Sequence, residues 1–582
     1  MFLYRVPLRR QRLLGLVLLA LAAGIGVRLY VLASREQLWG WWPLPLLLLL
    51  WGAIVAFRQN PARYTYLAIA TVAGAGLGLG FGTLPTWPLQ VVGFAALLVL
   101  TDRLAEDETC GLRQQWWYGY HAFVLYNVLA TWWVANTALA AGIVANFLNA
   151  LLMTVPWVLT YLLRRRMPNF WMAGAVVLWI GFEYLHYNWQ IAWPWLTLGN
   201  ALASTPKLAQ WYEVTGVFGG SLYIASAGAL LGRLVVRHRG QPSVRVAAMW
   251  PPATVLLVPM LVSGFLYPGE DATASAPTAT VTLVQPNLEP HYVKFDLPRR
   301  ERFERFDSLV ASAPAGSLVV LPETSFGGIQ QEELARTGPV SILAAGGGDL
   351  LVGVSSYRRY PAPIDDPALR TQEDGRGGQF YYTAHNSAVS VDGGVVEAVY
   401  DKSRLVPGVE FLPYRRALFV FEPLVESLGG TTAGLGVSDS AVVFDYASGV
   451  RAAPLICYES IYGDYVRQFI GAGANLLVVP TNDGWWDDSP GYRQHFNLAR
   501  LRAIETRRWV VQAANSGTSG FIDPLGRAYA KTDYDVAAVT SYDVSLESGE
   551  TFYVRSGDLL GRLASLASVV FLVGIALAKR TG

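Results

Sequence analysis

The sequence predicts a polytopic α-helical membrane bundle carrying an α/β domain on its outer side, and three observations lead there. The first 270 residues are almost entirely apolar runs. Residues 278–555 instead spread Asp, Glu, Lys and Arg through short β-rich runs, and a last apolar run, 558–578, closes the chain. At 53% hydrophobic and only 15% charged residues, the 582-residue chain is more apolar than an ordinary soluble protein and longer than one domain. The net charge of +2 says little about partners, because the charges are unevenly placed, and no nucleic-acid partner is expected.

A membrane-crossing helix needs about 20 apolar residues. Spans are read at 13–33, 41–57, 64–84, 86–101, 116–139, 141–163, 170–192, 217–236, 248–267 and 558–578, of which the second and fourth are short enough to be re-entrant or tilted. Residues 1–270 thus form a bundle of about nine spans, with a tenth at the C-terminal end. Arg28 and the spans behind it favour a retained anchor over a cleaved signal peptide. Basic residues fill every second connection: Arg5, Arg9, Arg10 and Arg12; Arg58 and Arg63; Arg103 and Arg113; Arg164, Arg165 and Arg166; Arg233, Arg237, Arg239 and Arg245; Lys579 and Arg580. Such clusters mark the cytoplasmic side, so both termini are expected there and the 278–555 domain outside. Trp39, Trp41, Trp42, Trp193 and Trp195 fall at outer boundaries, where interfacial Trp is expected. Gly74, Gly78 and Gly82, four apart, read as close helix packing, and Glu183 with His186, one turn apart in the seventh span, as a structural pair.

In the polar domain, strands are read in 280–287, 317–323, 350–357, 385–392, 451–459, 475–483 and 508–515, with helical spacing in 299–311 and 492–507. Apolar strands alternating with helices imply sheets covered by helices. Residues 358–380, rich in Pro, Gly and charge, read as a surface loop. Glu323, Lys402 and Cys457 end or follow strands, where side chains project into the crevice of an α/β sheet. The chain has two cysteines, and Cys110 falls in a cytoplasmic connection, so Cys457 has no partner in its own domain. It is either a reactive thiol or a small buried hydrophobe. As a nucleophile it needs a base, which Glu323 supplies, and an oxyanion donor, which Lys402 and a backbone N–H supply. No histidine is required. The six His lack HExxH spacing, Cys457 has no CxxC neighbour, no Walker loop is present and GGGD at 346–349 reads as a turn, so neither metal nor cofactor is expected.

The motifs LPET, DKSRLVPGVEFLP and ICYES, in that order, resemble the Glu-Lys-Cys signature of the nitrilase (carbon–nitrogen hydrolase) superfamily, and 479–526 extends the likeness. Residues 182–225 resemble the last membrane segments of the apolipoprotein N-acyltransferase branch, so the resemblance covers roughly 170 to 578. It implies an αββα sandwich on a membrane bundle in a bacterial inner membrane, with the catalytic domain on the periplasmic side. It also implies transfer of an acyl chain from a phospholipid to the amine of a diacylglyceryl-cysteine apolipoprotein. Glu323 would be the base, Lys402 the oxyanion stabiliser and Cys457 the nucleophile, with Glu410, Tyr458 and Glu459 supporting. Three departures stand out. The family usually has about eight spans where ten are read here, PGVEFLP replaces a Phe-Gly-Glu-Tyr run, and Phe295 stands where a Trp is common. Residues 411–430, with Phe411, Leu412, Phe419, Phe421, Arg415 and Arg416, are either a lid dipping into lipid or an amphipathic segment packed on the sandwich. Two rivals remain: a membrane-anchored amidase or nitrilase on a small C–N substrate, and a non-enzymatic receptor or scaffold.

Overall fold

Apolar segments long enough to close their own backbone hydrogen bonds become helices. The computed structural model describes residues 8–239, 249–267, 276–373, 378–423 and 433–578; Arg5, Arg245, Lys579, Arg580 and the 424–430 part of the expected lid lie outside them. Helices α1 (Leu8–Ala33), α2 (Pro43–Arg58), α3 (Tyr64–Leu79), α4 (Pro88–Glu106), α5 (Leu112–Thr131), α6 (Leu139–Arg166), α7 (Trp171–Tyr187), α8 (Tyr212–Arg237), α9 (Trp250–Leu266) and α10 (Leu559–Leu577) fall on the ten apolar runs. Among the described residues five are long and apolar enough to cross a membrane alone: α1, α4, α6, α8 and α10. The expectation of a short fourth segment is corrected. The α4 helix continues to Glu106 because its charged end is paired, Arg164 Nε donating to buried Asp102 at 2.8 Å. Between α2 and the Pro61–Leu79 stretch the path bends by 111°, the geometry of a broken span or a re-entrant loop.

Close packing of the glycine stripe holds for α3. A Cβ on Gly74 would lie 2.3 Å from the Ala122 carbonyl of α5, and one on Gly78 2.7 Å from Leu129 Cβ. Glu183 and His186 are both buried, but each has its own partner: Glu183 accepts from Trp179 Nε1 and Leu198 N, His186 from Trp189 Nε1. Trp195 is not at a lipid boundary. It is buried beneath the polar domain, where its indole N–H donates to Gln494 at 2.9 Å.

The polar domain holds two sheets. The first runs β14 (Ala538–Ser545), β1 (Thr278–Gln285), β2 (Leu318–Val320), β4 (Asp349–Tyr360), β6 (Gln379–Asp392) and β5 (Arg370–Glu373), with β3 (Phe326–Gln330) on β4 and β7 (Val395–Asp401) on β6. The second runs β13 (Ala528–Tyr529), β12 (Gly520–Ile522), β11 (Trp509–Ala514), β10 (Leu476–Thr481), β9 (Arg451–Pro454) and β8 (Phe444–Asp445). Alternation sorts the side chains: Leu318 and Val320 join the core between the sheets, whereas Val319 and Leu321 meet Phe306 and Val340 of the outer helices. Helices Gly463–Gly471 and Pro490–Thr506 cover the second sheet, and Pro490–Thr506 also packs on α8. The sandwich therefore sits on the bundle through the helix layer of its second sheet. Residues 358–380 are not one loop: β4 extends to Tyr360 and β5 pairs with β6.

Candidate active site

Three strand ends converge. Beyond β2 the chain reaches Glu323 and then Thr324, whose φ is +50°. Beyond β7 it presents Lys402 and, after a short loop, Glu410. Beyond β9 it turns at Cys457, φ +51°, into the 3-10 turn Cys457–Ile461. Left-handed backbone at non-glycine residues costs about 1–3 kcal/mol and concentrates at functional sites.

Lys402 is the centre of the charge cluster. Its ammonium, 1% exposed, donates to Glu323 Oε1 at 3.2 Å and to Glu410 Oε1 at 2.9 Å. Asn386 on β6 donates to the same Glu323 oxygen at 2.7 Å, and Glu410 Oε2 accepts from Val406 N at 2.7 Å. Burial alone would raise the Glu323 carboxyl, but the Lys402 charge and the Asn386 bond outweigh it and hold the group below the ordinary carboxylate range. Burial likewise opposes the charge on Lys402, and the two carboxylates overcome it, holding the ammonium well above the usual lysine range. Burial and the Glu323 charge push the half-buried Cys457 thiol well up, with Lys402 pulling back only in part. The resting arrangement is a neutral thiol beside an ionised carboxylate, so the thiol becomes a nucleophile only when a base takes its proton.

Glu459 ties the loops together. Fully buried, it accepts from Tyr400 Oη at 2.5 Å, Ser403 N at 2.7 Å and Ile456 N at 2.7 Å, and burial pushes its carboxyl up to about 7. Tyr458 faces the bundle. Its hydroxyl donates to Ala192 O at 3.0 Å and its ring stacks on Trp193 at 6.4 Å. Phe295 is half exposed and stacks on Trp485 at 5.9 Å. The expected lid divides. Phe411 is half-buried and bridges to Pro407, which closes the Glu410 loop and turns Leu412 inward to 7% exposure, so Leu412 is packing and not lid surface. Phe419 is 61% exposed, while the Phe421 side chain lies outside the described residues.

The site also holds residues that sequence reading missed. Asn386 sits inside β6 among other buried polar residues, Thr383, His385, Ser387 and Ser390, so nothing local singles it out. Lys294, fully buried, donates to Glu323 O and to Thr324 Oγ1, both at 3.0 Å, and burial lowers its ammonium to about 7. Asp483 and His495 lie under Cys457, and His495 Nε2 is 3.2 Å from the Cys457 carbonyl oxygen. Asp483 lies two residues past β10, so the strand-end rule that singled out Cys457 also applied to it.

The chain matches the family model of the apolipoprotein N-acyltransferase N-terminal domain over residues 73–230 and that of carbon-nitrogen hydrolase over residues 280–552. It is 30% identical over 508 residues to an apolipoprotein N-acyltransferase of Chlorobaculum tepidum, covering 84% of this chain and 93% of the relative. The chain belongs to the apolipoprotein N-acyltransferase family. A second member, from Geobacter metallireducens, is 28% identical over 533 residues, covering 89% of this chain and 96% of its own. Among solved structures, the nitrilase-superfamily protein Nit3 of Saccharomyces cerevisiae aligns with 46% of this chain and 90% of its own, at a TM-score of 0.33 and 15% identity. The N-terminal family match begins inside α3, so α1 and α2 precede the part this chain shares with the N-terminal model.

Proposed function

We propose that this chain transfers a fatty acyl chain from a phospholipid to the N-terminal amine of a diacylglyceryl-cysteine lipoprotein, through a thioester on Cys457. The observation that carries the reading is the buried Glu323–Lys402–Glu410 cluster beside an unpaired thiol, in a domain seated on an apolar helix bundle. The relatives' names supply the reaction class. In the first half-reaction the Cys457 proton moves to Glu323 as sulfur bonds the ester carbonyl carbon. The carbon–oxygen bond to glycerol then breaks, its oxygen takes the proton from Glu323, and lysophospholipid leaves. In the second, the lipoprotein amine attacks the thioester, passes a proton through Glu323 to the departing sulfur and leaves as an amide. Glu410 gives Lys402 a second carboxyl partner at 2.9 Å while Glu323 carries the proton. The ammonium thus remains charged to stabilise the oxyanion together with a backbone N–H after the nucleophile.

In this reading ten spans leave both termini in the cytoplasm, with residues 278–555 facing outward from a bacterial inner membrane. In a Cys-free background, impermeant maleimide should then label Asp365→Cys in intact cells and Glu108→Cys only after permeabilisation; the reverse pattern would move the site to the cytoplasm. The chemistry is tested by incubating the purified protein with phospholipid vesicles. The expected result is a fatty-acyl mass increment on the peptide containing Cys457. No increment, together with hydrolysis of small amides, would favour the amidase reading.

A further inference from the structure

Directly beneath the nucleophile lies a buried pair that the Glu-Lys-Cys chemistry does not use. His495, on the helix Pro490–Thr506, and Asp483, just past β10, are both 0% exposed. His495 Nδ1 lies 2.9 and 3.1 Å from the two carboxylate oxygens of Asp483. Its Nε2 lies 2.9 Å from Ser460 Oγ and 3.2 Å from the Cys457 carbonyl oxygen. Ser460 Oγ donates to that same carbonyl at 2.7 Å.

Nδ1 donates to the Asp483 carboxylate. The Cys457 carbonyl only accepts, so where the Ser460 hydroxyl proton goes to it, Nε2 faces two acceptors and donates as well. In that state His495 is an imidazolium paired with Asp483. Burial opposes that charge, but the Asp483 carboxylate and its hydrogen bond, the Cys457 carbonyl and the charge on Glu323 together lift the imidazole above its usual range. Asp483, Cys457 with Ser460, and Glu323 are the titratable and polar groups facing it, and the rings of Trp195 and Trp486 cover its sides.

We propose that His495, oriented by Asp483, is a positioning residue that grips the carbonyl of Cys457 and so holds the left-handed backbone that aims the thiol at the substrate. The proposal rests on Cys457 being the nucleophile. The grip is also keyed to the bundle one residue away, where Gln494 accepts from Trp133 and Trp195 and donates to Ala130 O. The pH sign follows from the raised imidazole. The charged ring is present at neutral pH and is lost as pH rises through its elevated value. A deprotonated Nε2 would then meet the Cys457 carbonyl lone pair to lone pair, and thioester formation would fall. Lys402 deprotonates only at far higher pH, whereas Lys294, lowered to about 7, titrates in the same range, so the part of the alkaline limb that belongs to His495 is the part lost in His495→Gln.

The test uses the full-length protein in detergent and the burst of p-nitrophenolate from p-nitrophenyl butyrate, followed over roughly pH 6 to 10. Here the Cys457 sulfur bonds the ester carbonyl, its proton goes to Glu323 and p-nitrophenolate leaves. The wild-type burst rate should fall on the alkaline side. His495→Gln, whose amide donates without titrating, should stay within about tenfold of wild type at neutral pH and lose the alkaline fall, whereas His495→Phe should lose about 100-fold. Ser460→Ala leaves the imidazolium as the sole side-chain donor to that carbonyl and should deepen the fall. An alkaline limb unchanged in His495→Gln, or His495→Phe within about threefold of wild type, overturns the proposal. If the His495 variants do not fold, an unchanged limb in Ser460→Ala overturns it alone. A normal burst profile without acylation by phospholipid vesicles would leave the grip standing and sink the lipid-donor reading.

Discussion

The turn that carries Cys457 and the segment 411–423, which follows Glu410 in the chain, are built in opposite ways. Around Cys457 each neighbour is held: Ile456 N and Ser403 N by Glu459, the Cys457 carbonyl by Ser460, and Tyr458 by Ala192 O. The other segment has Tyr414 N bonded to Gln190 and Arg415 paired with Glu422, while Phe419 and Val420 stand 61% and 62% exposed. Chemistry that needs sub-ångström aim is built into buried hydrogen bonds, whereas apolar side chains turned outward suit contact with a lipid that must come and go. The predictions follow as attempts to erase that contrast.

The largest effect is expected from Cys457→Ala. It should abolish thioester formation while leaving thermal unfolding of the purified protein nearly unchanged, because one small, half-buried side chain is lost. Residual turnover at the wild-type rate would remove the covalent mechanism altogether. Next comes Glu459→Gln. The amide would turn an N–H₂ toward groups that are themselves donors, and a lost buried bond to a charged group is worth about 1.5–3 kcal/mol, or roughly 10–150-fold in rate. Glu459 also predicts a pH dependence. Its carboxyl is pushed up to about 7, so it gains a proton, and loses an acceptor, as pH falls through that value. Wild-type acylation should therefore drop below about pH 7, well above the range in which Glu323 itself protonates. In Glu459→Gln that limb should vanish, leaving only the more acidic one. A wild-type limb persisting in the variant would show that another group is responsible.

The contrast also explains what was legible in the sequence. Glu323, Lys402 and Cys457 were visible because each follows a strand, and the ten helices because each is a long apolar run. Asn386, Lys294 and His495 reach the site from distant elements, and no local pattern marks a polar residue whose partner lies far along the chain. The 358–380 stretch differs from the sequence expectation because β5 pairs with the start of β6 at an exposed end of the sheet. There, Arg359 of β4 stacking on Phe380 at 4.4 Å replaces the apolar alternation that normally reveals a strand. Leu412 was misread for the opposite reason: its apolar neighbours suggested one surface, but the closure between Pro407 and Phe411 turns it inward.

A smaller effect is expected on the exposed side. Phe419→Ser with Val420→Ser removes two apolar groups, each worth up to about 1.5–3 kcal/mol if buried in lipid. Acylation by phospholipid vesicles should slow by about 10–100-fold. The burst with a small soluble ester should barely change. Equal losses in both assays would indicate a damaged fold, and no loss in either would make the segment ordinary surface.

The smallest effect tests where the two regions join. Tyr458 is the residue after the nucleophile, and its hydroxyl bonds the Ala192 carbonyl in the connection between α7 and α8. Tyr458→Phe deletes that bond and keeps the ring on Trp193, so the packing survives and only the polar link to the bundle is cut. A typical buried hydrogen bond contributes about 0.5–1.5 kcal/mol. Acylation should fall by a few-fold, at most about tenfold. If the link serves to hold the nucleophile over lipid presented by the bundle, phospholipid acylation should fall more than the soluble-ester burst. If it serves only to brace the turn, both should fall alike. Tyr458→Ala, which also removes the ring stacked on Trp193, should lose distinctly more in both assays. A phenylalanine variant as impaired as the alanine one would mean that the hydroxyl, and not the aromatic packing, carries the junction.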